Sequence, residues 1–100
     1  MSVMMIRTQV KPDRAAEVEA AVQKMFAAIK GAQPQGVRYA SCKLPDGVTF
    51  VVILELDGPA NPLVTVPEFT QFQENLKDWL AGPPTAEPLQ VIGSYQLFSG

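Results

Sequence analysis

The side chains able to do chemistry in this chain are few and far apart. Cys42 stands between Ser41 and Lys43, a setting that invites a nucleophile. A thiol attacks as its thiolate, and with no histidine in the sequence to draw off the proton, Cys42 reads as a small packed thiol. Tyr39 can offer a phenol to a pocket or simply cover a sheet edge. Arg7 and Glu55 fall on predicted neighbouring strands and read as an ion pair across a subunit seam rather than as a catalytic pair. Deleting one partner of such a buried pair would cost about 3 to 5 kcal/mol. Met1, Met4, Met5 and Met25 are too dispersed for a metal site and read as core or terminus.

The missing residues exclude more than the present ones propose. Without histidine there is no imidazole acid–base catalysis, no proximal haem ligand and none of the common histidine-containing zinc sites. A single cysteine forms neither an intrachain disulfide nor a Cys-x-x-Cys pair, which suits a reducing compartment. No metal or cofactor is expected. Ten acidic against eight basic residues give a net charge of −2, the wrong sign for a phosphate-binding surface, so nucleic acid is not an expected partner. The opening Met1–Met5 lacks a basic leader and no apolar run reaches the length of a bilayer span, so the expected setting is cytoplasmic, with no membrane partner.

One hundred residues, 47% of them hydrophobic, make a single domain spanning 1–100 with one core. Val3 to Val10 alternates as a strand up to Lys11-Pro12-Asp13, where Asp13 can cap a helix. From Arg14 to Lys30, Ala15, Val18, Val22, Met25, Phe26 and Ile29 recur at helical steps, and Gly31 is a natural stop. Val37 to Leu44 and Val48 to Leu56 flank Pro45-Asp46-Gly47 and read as a hairpin. Pro67-Glu68 opens a second helix with Phe69, Phe72, Leu76 and Leu80 on its buried stripe and Trp79 on the flank. Gly82-Pro83-Pro84 ends that helix, and Leu89 to Phe98 is predicted as the last strand. The order β-α-β-β-α-β predicts an α+β, ferredoxin-like domain: a four-stranded antiparallel sheet with both helices on one face and the first and third strands at the centre.

Two helices cover one side of such a sheet, so the other side decides between monomer and assembly. Met4, Ile6 and Val10, with Phe50, Val52, Leu54 and Leu56, share the parity of a helix-facing surface. The opposite parity carries Val3, Met5, Arg7, Gln9, Thr49, Val51, Ile53 and Glu55, continued on the predicted last strand by Gln90, Ile92, Ser94, Gln96 and Phe98. That surface is more apolar than an ordinary solvated face and too polar for a dry seam; on one reading its polar groups are simply solvated and its apolar ones tolerated in a monomer. A second copy covering it while enclosing a lined cavity satisfies both observations.

Gly36-Val37-Arg38-Tyr39, Phe50-Val51-Val52-Ile53-Leu54-Glu55 and Pro67-Glu68-Phe69-Thr70-Gln71-Phe72 are similar to a strand-ending glutamate followed by an aromatic helix start. In these residues the chain resembles the dimeric α/β-barrel superfamily, and within it the small antibiotic-biosynthesis-monooxygenase-type proteins. The resemblance implies a homodimer whose two sheets close a barrel, with a pocket in each subunit between sheet and helices. Some members oxygenate phenolic or polycyclic molecules with O₂ and neither metal nor flavin; others degrade haem, isomerise lactones or have no assigned activity. Asn75 and Trp79 resemble an asparagine and a tryptophan that some cofactor-free oxygenases place one turn apart on the second helix. The resemblance implies an amide bonding a substrate carbonyl or enolate and an indole stacking on its ring, with Arg7 or Tyr39 stabilising developing negative charge. The chain departs from the pattern in lacking histidines and in having no lysine or arginine after Trp79.

Other ferredoxin-like functions lack their residues. Val10-Lys11-Pro12-Asp13 is no glycine-rich anion cradle, the composition is not that of an RNA-binding sheet, and a metal carrier needs paired cysteines. The first expectation is therefore a cofactor-independent, monooxygenase-like homodimer acting on a small planar aromatic or polyketide-like molecule. The second is a non-catalytic ligand-binding or accessory homodimer of the same fold. The ligand-binding candidates are Asn75, Trp79, Arg7, Tyr39 and Glu55, and no residue is assigned as catalytic.

Overall fold

Strands in this chain form where β-branched and aromatic residues alternate, and helices where apolar residues recur at three and four. The computed structural model describes residues 1–97. Strand β1 (Ser2–Gln9) leads through a 3₁₀ turn (Pro12–Arg14) into helix α1 (Ala15–Ala32). Strands β2 (Val37–Lys43) and β3 (Thr49–Leu56) form the hairpin, a 3₁₀ turn (Pro62–Thr65) precedes helix α2 (Pro67–Trp79), and strand β4 is Thr85–Leu89. The sheet order is β2-β3-β1-β4 with every pairing antiparallel, which puts β1 and β3 at the centre as the element order requires. No helix among the described residues is long and apolar enough to cross a membrane.

The hairpin owes its register to Asp46. Its carboxylate accepts from the Val48 and Thr49 backbone N–H groups at 2.9 Å each and from the Thr49 hydroxyl at 2.6 Å, while Gly47 takes a φ of 78° that a Cβ would resist. Those hydrogen bonds, the one from the Thr49 hydroxyl first, hold the Asp46 carboxyl below its ordinary pKa. Leu44 donates to the Thr49 carbonyl at 2.9 Å, so the connection holds four residues, 45–48, and not the three expected. One residue more in the loop fixes which side chains of β2 and β3 face each other.

One face of the sheet carries both helices. Val10, Val18 and Phe50 form a buried cluster against which Ala15, Val22, Val48, Leu76 and Trp79 pack, and Met25, Leu63, Val66 and Phe72 are buried as well. Burying each of these large side chains contributes about 1.5 to 3 kcal/mol. The parity assignment of the sequence stands for both central strands. Thr8 and Val10 line the helix side together with Phe50 and Val52, whereas Val3, Ile53 and Glu55 line the opposite side.

Three local expectations require correction. Asp13 makes no capping bond; it sits in the 3₁₀ turn, and α1 starts without a side-chain cap. Helix α1 runs through Gly31, and Gln33 adopts the left-handed conformation at φ 50°, its N–H bonding the Ile29 carbonyl at 2.9 Å. Among the described residues the last strand is Thr85–Leu89, whereas the alternation predicts Leu89–Phe98. Its antiparallel register sets Arg7 against Thr85 and Val3 against Leu89, so β1 ends where the expected strand would have begun. Residues 3–7 of β1 are taken up by Thr85–Leu89, and Gln90 to Leu97 form no strand. Pro88 is tolerated because β4 is an edge strand, where a missing N–H breaks no ladder on the outer side. Phe98 lies outside the described residues.

Candidate functional site

Alternation along β2, β3 and β1 sends a mostly apolar set of side chains to the face without helices. Val3, Ala40, Ile53 and Leu89 floor a concavity of about 800 Å³, and Gln90 to Ser94 with Leu97 border it. Its polar end is built by the hairpin register, which sets Arg38 directly opposite Glu55. Arg38 Nη1 lies 3.1 Å from Glu55 Oε1 and donates a 2.9 Å hydrogen bond to Asp57 Oδ1. The hydrogen bond to Asp57 first, then the charges of Asp57 and Glu55, hold the guanidinium above its ordinary pKa. Gly36, at φ 83°, makes the close approach behind this group: its carbonyl accepts from the Asp57 N–H at 3.0 Å.

On the helix side a second space, about 30 Å³, lies between the layers among Thr8, Ser41, Tyr39, Phe50, Phe72 and Leu76. That is room for about one water molecule, not for a ring. The Tyr39 ring stacks on Phe26 with centroids 5.1 Å apart and meets Phe69 edge-on at 6.0 Å. Burial pushes its phenol up to about 12. At neutral pH Tyr39 is therefore a donor and not a base.

The five candidate residues divide between the two faces. Trp79 is half-buried against the Val10–Val18–Phe50 cluster, and its carbonyl accepts from the Lys11 N–H at 2.8 Å. Asn75 is exposed one turn away, its Oδ1 accepting from Gln71 Nε2 at 3.1 Å. Tyr39 fills the helix-side layer and also borders the 800 Å³ concavity. Arg7 and Glu55 share the helix-free face but not a position. Arg7 stands opposite Val51 and Glu55 opposite Val3, four residues apart along β1 and thus separated by about 13 Å of strand. Within one chain Glu55 is partnered by Arg38, a residue that sequence reasoning did not single out. The signal was present in the hairpin: a four-residue loop, correctly counted, brings Arg38 and Glu55 into register. Cys42 is exposed, opposite Val51 on the helix-free face, and not the packed thiol expected.

No family model matches the sequence, and no curated protein matches it. Solved structures resemble it in fold. A Nitrosomonas europaea protein provisionally named an antibiotic biosynthesis monooxygenase superposes with a TM-score of 0.77 at 16% identity, over 93% of this chain and all of that one. A second Nitrosomonas europaea protein, NE2512, of unknown function, gives 0.73 at 15% identity over 94% of this chain and 91% of its own. A substituted form of SnoaB from Streptomyces nogalater, a cofactor-independent oxygenase, gives 0.67 at 15% identity over 93% and 94%.

Proposed function

We propose that this protein, which has the ferredoxin-like fold of antibiotic biosynthesis monooxygenase structures, is a homodimer that binds a small planar aromatic or polyketide-like molecule in the chamber over its helix-free sheet face. The observation that carries this reading is the chamber itself: about 800 Å³, floored by apolar side chains and polar at one end. Those are the proportions of a small-molecule site. The alternative space under the helices is about 30 Å³ and would take a ring only if the layers separated.

A second copy is the natural cover. Met5, Val51 and Ile53 remain partly exposed on the helix-free face, and beyond β4 the chain carries Ile92 at 96%, Tyr95 at 87% and Leu97 at 68% exposure. Apolar groups left in water over a continuous region mark an interface. Closing one such face on another also explains why Arg38 and Glu55 accompany the apolar residues: the polar end would remain inside the enclosed chamber. The cytoplasmic setting belongs to the same reading and rests on a lone, unpaired Cys42.

A second reading adds turnover, favoured by the fold shared with SnoaB. In it the bound molecule supplies the electrons: a methylene between aromatic rings and one O₂ give a carbonyl and one water, with no cofactor. Tyr39, which borders the chamber, or Arg7 on the same face would polarise a substrate held there, whereas Asn75 and Trp79 would act on one held at the helix side. Oxygen uptake with a panel of anthrones and quinols separates the readings. Ligand-induced thermal stabilisation without oxygen consumption supports the binder; consumption supports the oxygenase, and its loss in Asn75→Ala and Trp79→Phe would put the reacting molecule on the helix side. Neither stabilisation nor consumption across the panel would defeat both.

A further inference from the structure

The polar end of the chamber has its hydrogen-bonding capacity unevenly used. Arg38 meets both of its carboxylate partners, Asp57 and Glu55, through Nη1, and neither Nε nor Nη2 has an acceptor among the described residues. Glu55 is met by one donor only among the described residues, Arg38 Nη1 at 3.1 Å, and its side chain is 23% exposed. A carboxylate has about four lone-pair sites, so one shared donor leaves it free to accept from a ligand. The charges do not cancel either, because one guanidinium faces the two carboxylates of Glu55 and Asp57, leaving a net −1 at this end.

We infer that Glu55 and Arg38 determine ligand specificity, Glu55 accepting from a hydroxyl or N–H of a neutral planar ligand, Arg38 donating to an adjacent oxygen, and the surplus negative charge rejecting carboxylates. The inference rests on the chamber being the ligand site. An anionic ligand would bring a third negative charge to a single guanidinium and offer Glu55 no further donor. A neutral hydroxyarene supplies the donor and adds no charge. The rejecting element is thus part of the site and not merely a lack of attraction.

Two probes of the same ring and size test it at pH 7: 2-naphthol, neutral there, and 2-naphthoate. Calorimetric titration of the full chain is expected to give binding of naphthol at least about tenfold tighter than of naphthoate, the worth of one charge-assisted hydrogen bond. Glu55→Gln keeps the shape and removes the charge; in that variant naphthoate is expected to gain about tenfold and naphthol to weaken, narrowing or inverting the ratio. Equal binding of the two probes by the unaltered protein, or a ratio unmoved by Glu55→Gln, overturns the specificity assignment while leaving the chamber as a ligand site. If neither probe binds, the chamber reading fails and the assignment with it. Circular dichroism of Glu55→Gln shows that the fold is retained in the comparison.

Discussion

The two faces of the sheet are made from the same strands and differ in almost everything else. On the helix side, Thr8, Val10, Phe50 and Val52 meet Val18, Met25 and Phe72, and the space left between the layers is about 30 Å³. On the other side, Val3, Ala40, Ile53 and Leu89 surround about 800 Å³, with an ion-paired arginine at one end. Side chains alternate strictly along a strand, so each face can be written independently of its neighbour. The helix side is packed within one chain. The opposite side leaves Met5, Val51 and Ile53 partly exposed and is the face that the proposed second copy would cover.

The contrast makes the effect of a substitution depend on which face it falls on. The largest loss is expected at Phe72→Ala, which empties a buried site of the helix side; it should cost about 3 to 5 kcal/mol in a denaturant titration. A loss under 1 kcal/mol would mean that this side is looser than its packing indicates. Next comes the alkaline limb of stability. The folded-state pKa of Tyr39 is about 12 against an ordinary 10, so its contribution is whole below pH 10 and is lost as pH rises towards 12. Two pH units correspond to roughly 2 to 3 kcal/mol. Tyr39→Phe should remove that part of the alkaline decline and, in ultraviolet titration, the late phenolate step. A phenolate that forms near 10 would mean that water reaches the ring.

At the acid end the sign reverses. Asp46 has a depressed folded pKa, so the support it gives the hairpin is present above the ordinary carboxyl range and is lost as pH falls through the folded value. Asp46→Asn should lower stability at pH 7 and flatten the acid limb of the pH–stability profile; an unchanged acid limb would mean that the three bonds to this carboxylate contribute nothing net. The smallest effect sharpens the comparison of faces. Asn75→Ala touches only an exposed pair with Gln71 on the helix side, so stability should move by less than about 0.5 kcal/mol. Naphthol binding to the opposite face should not move at all. Weakened binding in Asn75→Ala would transfer the ligand to the helix side and restore the role that the resemblance implies for this residue.

Most of the architecture was legible because it is local. Period-two runs, a proline at the start of α2 and an aspartate–glycine turn each specify their element without help from the rest of the chain. The sequence misled where a partner was needed. Leu89 to Phe98 alternates as well as any strand, but pairing requires a neighbour, and the free edge of β1 is occupied by Thr85–Leu89. Register misled in the same way. A three-residue loop would set Arg38 against Leu54, whereas the observed four-residue loop sets it against Glu55 and makes the polar end of the chamber. A single residue in the turn thus decides that Glu55 faces Arg38 within the chain.

The central claim is that a second copy covers the helix-free face, and the mass of the particle in solution tests it most directly. Light scattering on the unaltered protein at micromolar concentration should return twice the 10.8 kDa of the chain, and Ile53→Asp, which puts a charge in the middle of that face, should return the single mass with the circular dichroism of the fold intact. A particle of 10.8 kDa from the unaltered protein would contradict the account.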